Sequence, residues 1–376
     1  MNMAYKYLYI DDNIRENANG IITGLEQNDL LEIDFENPKG TWEHERKMIL
    51  SSEFKKYDGL ILDLNLEEMP NEEQIYSMYK GSSLAQEIRN LSKASEIKEI
   101  PIILLSATTN LEKYFDKTNE DLFDLIISRE KLSEVFITTR QKMVSLCEGY
   151  KLIEKCKPDF NFSDLFSHEM SLEDIRFVGE IKSVFEYPIH TVSNFIIKNL
   201  LERSGILISE EILATRLGID IKNSGDWKMI LAKLKDCQYE GVYSKGWIRW
   251  WMNSIDIWWD INIGVERSLR SIKANDKVEI LKNKYQTSKL VSLNKTDKSK
   301  SENFWTNCVG SGVPIDPIDG LLIANQDNFF PWQDRCYISI NEALKPTNKE
   351  RWKKISPSEE FKLEQLKKRF PNERPK

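Results

Sequence analysis

The chain has 376 residues, of which 40% are hydrophobic and 10% aromatic, so it is long enough for two or three domains with packed cores. The formal net charge is −7, and residues 1–140 alone carry 16 Lys+Arg against 27 Asp+Glu. No run of about 18 apolar residues indicates a membrane helix, and the five cysteines and three histidines show no zinc spacing. We therefore expect a cytoplasmic protein without disulfides or zinc.

Two short apolar runs near the N-terminus end in acidic residues. Residues 7–10 are followed by Asp11 and Asp12, and residues 60–62 are followed by Asp63. Such runs are typical of buried parallel strands, and the carboxyl ends of these strands form the ligand-binding edge of an open α/β sheet. Clustered carboxylates at this edge suit Mg²⁺, which prefers oxygen ligands. Asp63 is the candidate nucleophile toward a phosphoryl group.

Two further apolar runs end in residues that can bind a phosphoryl group. The run from Pro101 ends in the hydroxyl of Ser106, and the run from Leu125 ends at Ser128 and the cation of Arg129. Residues 81–89, between the second and third runs, have helical spacing of apolar side chains. The βαβα alternation predicts an α/β fold with a doubly wound parallel sheet.

In this order, these pieces resemble the receiver domain of two-component response regulators, over residues 5 to about 140. The segments that carry the resemblance are Ile10-Asp11-Asp12-Asn13, Asp63-Leu64-Asn65-Leu66, the helix at 81–89 and Ser106-Ala107. The resemblance implies a flavodoxin-like fold. It also implies Mg²⁺-dependent transfer of a phosphoryl group to Asp63 from the phosphohistidine of a histidine kinase or phosphotransfer protein.

The resemblance also assigns individual roles. Asp11, Asp12, Asp63 and the backbone carbonyl of Asn65 would hold the Mg²⁺ ion, and Ser106 would be the hydroxyl that moves toward the phosphate. A receiver homodimer is a further partnership that we expect of this family.

Three departures from the family pattern stand out. A lysine followed by proline is expected after the fifth strand, but the sequence there is Ser128-Arg129-Glu130-Lys131, so Arg129 is the candidate phosphate-binding cation and Lys131 is the alternative. Aliphatic residues, Ile126 and Ile127, replace the aromatic switch residue. The third departure is a mostly polar insertion, residues 67–80, that either covers the pocket or docks a partner.

The region after residue 140 begins with a predicted helix at 141–156. Farther on, a helix that starts at Ser209 and stops at Gly218, then a helix at 227–235, have the outline of a helix-turn-helix. Residues 241–243 and 247–249 would supply a wing. This part resembles a winged helix, but acidic residues dilute its basic face, so DNA binding is less favoured than packing against protein.

Five tryptophans fall within residues 247–259, near helical spacing. We predict a buried helix there, with an exposed stacking platform as the alternative. In full, the predicted organisation is a receiver at 1–140, a helical and winged-helix-like domain at 141–282, a flexible linker or loop at 283–303, and an irregular segment with a basic C-terminal helix at 304–376.

These observations predict a response-regulator-like signalling protein that accepts a phosphoryl group on Asp63, then switches a protein–protein output or acts as a phosphate sink. We expect no enzymatic activity, because no nucleophile–base pair is visible. The alternatives are a DNA-binding transcriptional regulator, and an effector enzyme or a degenerate-receiver scaffold.

Overall fold

A computed structural model describes residues 4–71, 74–114, 117–169, 175–264, 267–345 and 355–371. The chain divides into two compact units. Unit 1 comprises residues 1–171, 177–197 and 240–247, and unit 2 comprises residues 172–176, 198–239 and 248–376. The domain borders expected from the sequence, at residues 140, 282 and 303, stay a prediction.

A five-stranded parallel sheet forms the centre of unit 1. Its strands are β1 (Tyr5–Ile10), β2 (Leu31–Glu36), β3 (Gly59–Leu62), β4 (Ile102–Ser106) and β5 (Leu125–Ser128). Their order across the sheet is β2-β1-β3-β4-β5, and every pair is parallel. This is the flavodoxin-like order, which binds ligands at the switch point between β1 and β3. The predicted doubly wound α/β fold is confirmed.

Helices alternate with these strands and then continue beyond them. The helices of the alternating part are α1 (Arg15–Leu25), α2 (Trp42–Ile49), α3 (Gly81–Lys93), α4 (Thr108–Tyr114) and α5 (Arg129–Leu132), with 3₁₀ turns at Phe54–Lys56 and Lys117–Leu122. The later helices are α6 (Phe136–Cys156), α7 (Phe162–Phe166), α8 (Ile175–Val184) and α9 (Ile189–Ile196).

Helix α3 shows why the sequence folds as predicted. Leu84, Ala85, Ile88 and Leu91 recur at helical spacing and are all buried. The helix begins at Gly81, where a Cβ atom would lie 2.0 Å from the carbonyl oxygen of Asp63. Only glycine permits this approach, so the start of α3 is fixed close behind the acidic edge of the sheet.

A buried polar network joins the sheet of unit 1 to α6. The carboxylate of Asp124, just before β5, accepts hydrogen bonds from Arg89 on α3 at 2.9 Å and from the hydroxyl of Tyr150 on α6 at 2.6 Å. The hydroxyl of Tyr7 on β1 donates to the carbonyl of Met143 on α6 at 2.9 Å. Helix α6 is therefore part of the same packed structure as the sheet.

In its described residues, unit 2 is mostly helical, with three short antiparallel strand pairs. Its helices are a π-helical turn (Ile197–Leu201), α10 (Glu210–Leu217), α11 (Trp227–Lys233), α12 (Met252–Ile263), α13 (Ala274–Tyr285), α14 (Ile340–Ala343) and α15 (Glu360–Arg369), with short 3₁₀ turns between some of them. The pairs are β6 (Leu207–Ile208) with β7 (Trp250–Trp251), β8 (Thr306–Asn307) with β9 (Pro314–Ile315), and β10 (Gly320–Leu322) with β11 (Tyr337–Ser339).

The predicted wing is wrong. Residues 241–243 lie in a turn, and residues 247–249 form no strand. The helix-start and helix-stop signals were correct, because Ser209 accepts a hydrogen bond from the backbone N–H of Ile212 and Gly218 ends α10 with φ +76°. Helices α10 and α11 lie between β6 and β7, which pair antiparallel, and Gln238 forms an isolated bridge with Trp250. The two segments predicted as the wing form no strand, and the winged-helix resemblance is unconfirmed.

The tryptophan-rich segment is core, as predicted. Trp247, Trp250, Trp251, Trp258 and Trp259 are all buried. The helix is shorter than the pattern indicated, because α12 begins only at Met252 and two of the tryptophans form strand β7.

The C-terminal helix forms near its predicted position as α15. Residues 283–285 belong to α13, and residues 286–303 contain no regular helix or strand. None of the helices in the described ranges combines the length and hydropathy that a bilayer span demands.

Lys277 on α13 is fully buried, and its ammonium donates to the carbonyl of Arg216 at 2.7 Å. Burial, followed by the nearby charge of Arg270, lowers the pKa of Lys277 to about 7. Between about pH 7 and pH 10.5 the unfolded chain keeps a proton that the folded chain releases, so the free energy of unfolding rises with pH in this window.

Replacing Lys277 with methionine should remove this rise. The free energy of unfolding of the wild-type protein should rise between pH 6 and pH 9.5. We expect this rise to be about 3 kcal/mol larger than the rise in the variant. Urea titrations at the two pH values measure the difference, with Lys273→Met, at an exposed position, as the control. The same pH dependence in Lys277→Met and the wild type would contradict the prediction.

Candidate functional site

Three buried carboxylates converge at the carboxyl edge of the sheet in unit 1. Asp11 and Asp12 follow β1 and Asp63 follows β3, and these strands are neighbours with Ile10 opposite Leu62. One oxygen from each carboxylate lies within 4.8 Å of the others. The structure therefore brings together the three acidic residues that the sequence predicts as a group.

Arg129, the first residue of α5, provides a cation at this edge. Its Nη2 atom lies 2.7 Å from Asp11 Oδ2 and 3.3 Å from Asp63 Oδ1. Lys131, the alternative, has an exposed side chain, and no contact in the described part of the chain joins it to the carboxylates. Geometry thus favours Arg129 for the cation role.

The environment of Asp63 makes its carboxylate easier to protonate than an exposed aspartate. Burial, followed by the charge of Asp11, raises the pKa of Asp63 to about 7, although Arg129 and Ser106 lower it. A divalent cation at this edge would offset the repulsion between carboxylates and favour the ionised form.

The Ser106 hydroxyl lies at the end of β4 and is fully buried. It contributes to lowering the pKa of Asp63, yet it forms no hydrogen bond of ordinary geometry with the described residues. Beside it, the carboxylate of Glu130 accepts hydrogen bonds from Thr108 Oγ1 at 2.7 Å and Ser128 Oγ at 2.8 Å. The start of α4 is therefore tied to the end of β5 and the start of α5.

Asn65 lies in the turn that follows Asp63. Its backbone N–H donates to Asp63 Oδ2 at 3.2 Å, and its side-chain amide donates to Glu68 at 2.9 Å. Within the described residues, no hydrogen bond reaches its backbone carbonyl. That carbonyl is the group predicted as a metal ligand.

These residues fit a Mg²⁺ ion. Asp63 Oδ1 is buried and accepts no hydrogen bond in the described part of the chain, so it has lone pairs available to a cation. The donor set is carboxylate and carbonyl oxygen, which is the set that Mg²⁺ prefers.

Two residues at the site were missed by the sequence analysis. The hydroxyl of Tyr9 donates to Asp11 Oδ2 at 2.5 Å, and the side-chain amide of Asn37 donates to the carbonyls of Asp11 and Asn13 at 2.9 and 2.8 Å. Strand periodicity offered a signal for Tyr9, because residues two apart on a strand face the same side. No sequence signal indicates Asn37.

The insertion at 67–80 is anchored on Asp12. The carboxylate oxygen Oδ2 of Asp12 accepts hydrogen bonds from the backbone N–H groups of Glu68 at 2.6 Å and Met69 at 2.9 Å. Exposed apolar side chains follow on the same segment, including Tyr76 and Met78. Asp12 thus has a structural partner as well as its predicted metal role.

Asp12→Ala should release the insertion. Hydrogen bonds to a charged acceptor are worth about 1.5–3 kcal/mol, so we expect chymotrypsin to cleave near Tyr76 and Met78 about tenfold to a hundredfold faster. Asp12→Asn keeps one acceptor oxygen and should show a smaller increase. Mass spectrometry of the fragments measures the rate of cleavage. Equal rates for Asp12→Ala and the wild type would show that these bonds do not hold the insertion.

Comparisons with known proteins concern the fold alone. No family model and no curated protein sequence matches the chain. Solved structures that overlap it include a sensor protein from Polaromonas sp. JS666 (15% identity, 38% of this chain, 98% of that chain, TM-score 0.27). Others are the phosphorylated cyanobacterial phytochrome response regulator RcpA (19% identity, 38% and 95%, 0.27) and the BeF3-activated N-terminal receiver domain of Klebsiella pneumoniae RstA (16% identity, 37% and 97%, 0.25).

The sheet of unit 1 has the flavodoxin-like strand order, and its acidic edge lies at the switch point between β1 and β3. The family resemblance inferred from the sequence is confirmed at the level of fold.

Proposed function

We propose that this chain is a response-regulator-like signalling protein that accepts a phosphoryl group on Asp63 in a Mg²⁺-dependent reaction. The observation that supports this most directly is the convergence of three buried carboxylates and one arginine at the switch point of the sheet. That arrangement can hold a divalent cation and an anionic group side by side.

In the proposed transfer, a carboxylate oxygen of Asp63 attacks the phosphorus of a phosphohistidine. An O–P bond forms, the N–P bond breaks, and the released imidazole nitrogen keeps the electron pair and takes a proton from solvent. Asp11, Asp12, Asp63 and the carbonyl of Asn65 would hold Mg²⁺. The ion, when bound, would neutralise charge on the phosphoryl oxygens.

Arg129 and Ser106 would then stabilise the product. The guanidinium of Arg129 already lies between Asp11 and Asp63 and can present two N–H donors to phosphoryl oxygens. The buried Ser106 hydroxyl is a further donor for a phosphoryl oxygen on Asp63. The partner would be a histidine kinase or phosphotransfer protein, with a protein–protein output or a phosphate-sink role.

The test is phosphoryl uptake from acetyl phosphate, read on a phosphate-affinity gel with Mg²⁺ or with a chelator. We expect a shifted band only with Mg²⁺, and peptide mapping should locate the acyl phosphate on Asp63. If neither acetyl phosphate nor phosphorylated histidine-containing partners produced the band, the proposal would be wrong and the receiver would be a binding scaffold.

A further inference from the structure

A cleft of about 500 Å³ opens in unit 1 beside the acidic edge. Its walls come from the start of α1, the end of β2 with the loop that follows it, the first turn of α2, and the insertion. The side chains that matter here are Arg15, Phe35, Asn37, Lys39, His44 and Asn71. None of the three carboxylates described above lines it.

The described lining of the cleft carries more positive than negative charge, although its surroundings are acidic. Arg15 and Lys39 supply positive charge, His44 adds an imidazole, and Glu36 is the one carboxylate among the described lining residues. Lys39 pairs with Glu36 at 2.7 Å. No hydrogen bond or ion pair engages the side chains of Arg15 or His44 within the described ranges. In a region of net charge −11 (residues 1–140), Arg15 is therefore the cation of the cleft that can bind an anion without first giving up a partner among the described residues.

Two amide side chains in the cleft are fixed by the backbone. Asn37 donates to the carbonyls of Asp11 and Asn13 at 2.9 and 2.8 Å. Asn71 accepts from the backbone N–H of Ile75 at 3.0 Å. The walls that carry them are therefore positioned before a ligand arrives, and preorganisation lowers the cost of binding.

The lining also has an apolar part. Phe35 packs edge-on against Tyr9, with ring centroids 5.5 Å apart, and Pro38 lies on the same wall. The volume of the cleft falls in the range of small-molecule sites, roughly 300–1,000 Å³. A ligand that fits these walls has an anionic head and a small apolar body.

We propose that this cleft binds a small organic phosphate. Its phosphate contacts Arg15, Lys39 and His44, since arginine binds phosphate oxygens bidentately and lysine binds them as a point charge. Its apolar body lies against Phe35 and Pro38. Because Asn37 lines the cleft and its amide also holds the backbone of Asp11 and Asn13, the ligand would lie next to the loop that carries Asp11 and Asp12.

This inference does not depend on phosphoryl transfer to Asp63, and its test avoids that chemistry. Isothermal titration calorimetry on the full chain, with a chelator present, compares phenyl phosphate with inorganic phosphate. We expect phenyl phosphate to bind about tenfold more tightly, because only phenyl phosphate buries a ring. Arg15→Gln and His44→Gln should each weaken phenyl phosphate binding about tenfold.

The control is Lys47→Gln, which removes a positive charge from an exposed position of α2 outside the cleft and should leave affinity unchanged. All three variants change exposed side chains, so their melting temperatures should match the wild type. Absence of heat with both phosphates would overturn the proposal. Binding that appears only when Mg²⁺ replaces the chelator, or that Arg15→Gln and His44→Gln do not weaken, would also overturn it, because the anion would then bind elsewhere.

Discussion

Asp63→Ala should abolish phosphoryl uptake from acetyl phosphate. The variant removes the buried carboxylate that follows β3 and lies 3.3 Å from Arg129, and Asp11 and Asp12 are held by other partners. Asp11 accepts from Tyr9 and Arg129, and Asp12 accepts from two backbone N–H groups of the insertion. A phosphate-affinity gel should therefore show no shifted band at any Mg²⁺ concentration.

Two further variants test whether the loss of uptake is specific to the carboxylate of Asp63. Asp63→Asn keeps the shape of the side chain and should also fail, since an amide is a poor nucleophile. Glu16→Gln removes an exposed carboxylate from α1 and should take up phosphate at the wild-type rate. Uptake that survives in both Asp63 variants would place the acceptor on another residue and remove the central proposal.

The acidic part of the site was predictable because it depends on strand ends. Apolar runs indicate the strands, parallel pairing aligns their carboxyl ends, and the residues that follow must then meet. The contacts of Asn37 and the anchoring of the insertion on Asp12 were not predictable. They depend on where two loops without periodic pattern fold back, and no local rule in the sequence determines that.

Asp124→Ala should have the largest effect on stability. Asp124 is buried and accepts hydrogen bonds from Arg89, Tyr150, Ser193 and the backbone N–H of Ile102, at 2.6–3.0 Å. Its loss leaves the buried guanidinium of Arg89 without its carboxylate. Breaking such a pair costs about 3–5 kcal/mol, which we expect as the fall in the free energy of unfolding measured with urea.

A surface aspartate provides the matched comparison. Asp34 also has several partners, Lys6, Lys56 and Tyr57, but its side chain is 36% exposed. Asp34→Ala should therefore cost about 1 kcal/mol or less. Adding Arg89→Met to Asp124→Ala should recover part of the loss, because the uncompensated charge is gone. Equal effects of Asp124→Ala and Asp34→Ala would show that the buried network does not stabilise unit 1.

The C-terminal half shows where sequence patterns stop being informative. Burial of the tryptophans followed from their spacing and mass, and the cap signals at Ser209 and Gly218 identified α10. The wing strands predicted at 241–243 and 247–249 do not form. The strands that do form, β6 and β7, are only two residues long and are separated by 41 residues of chain. Strands of two residues are too short to show the alternation of apolar and polar side chains that predicts a strand, and their separation along the chain hides their pairing.

The position of α6 affects how this protein can be divided for experiments. A fragment that ends at residue 140 keeps only the first five residues of this 21-residue helix. It would expose Tyr7 and deprive Asp124 of its bond to Tyr150. Ser193 of α9 bonds to the same carboxylate. A fragment of unit 1 intended for crystals, NMR or kinase assays should therefore extend through α9, because a piece without α6 exposes the face that α6 covers and a piece without α9 loses the bond from Ser193 to Asp124.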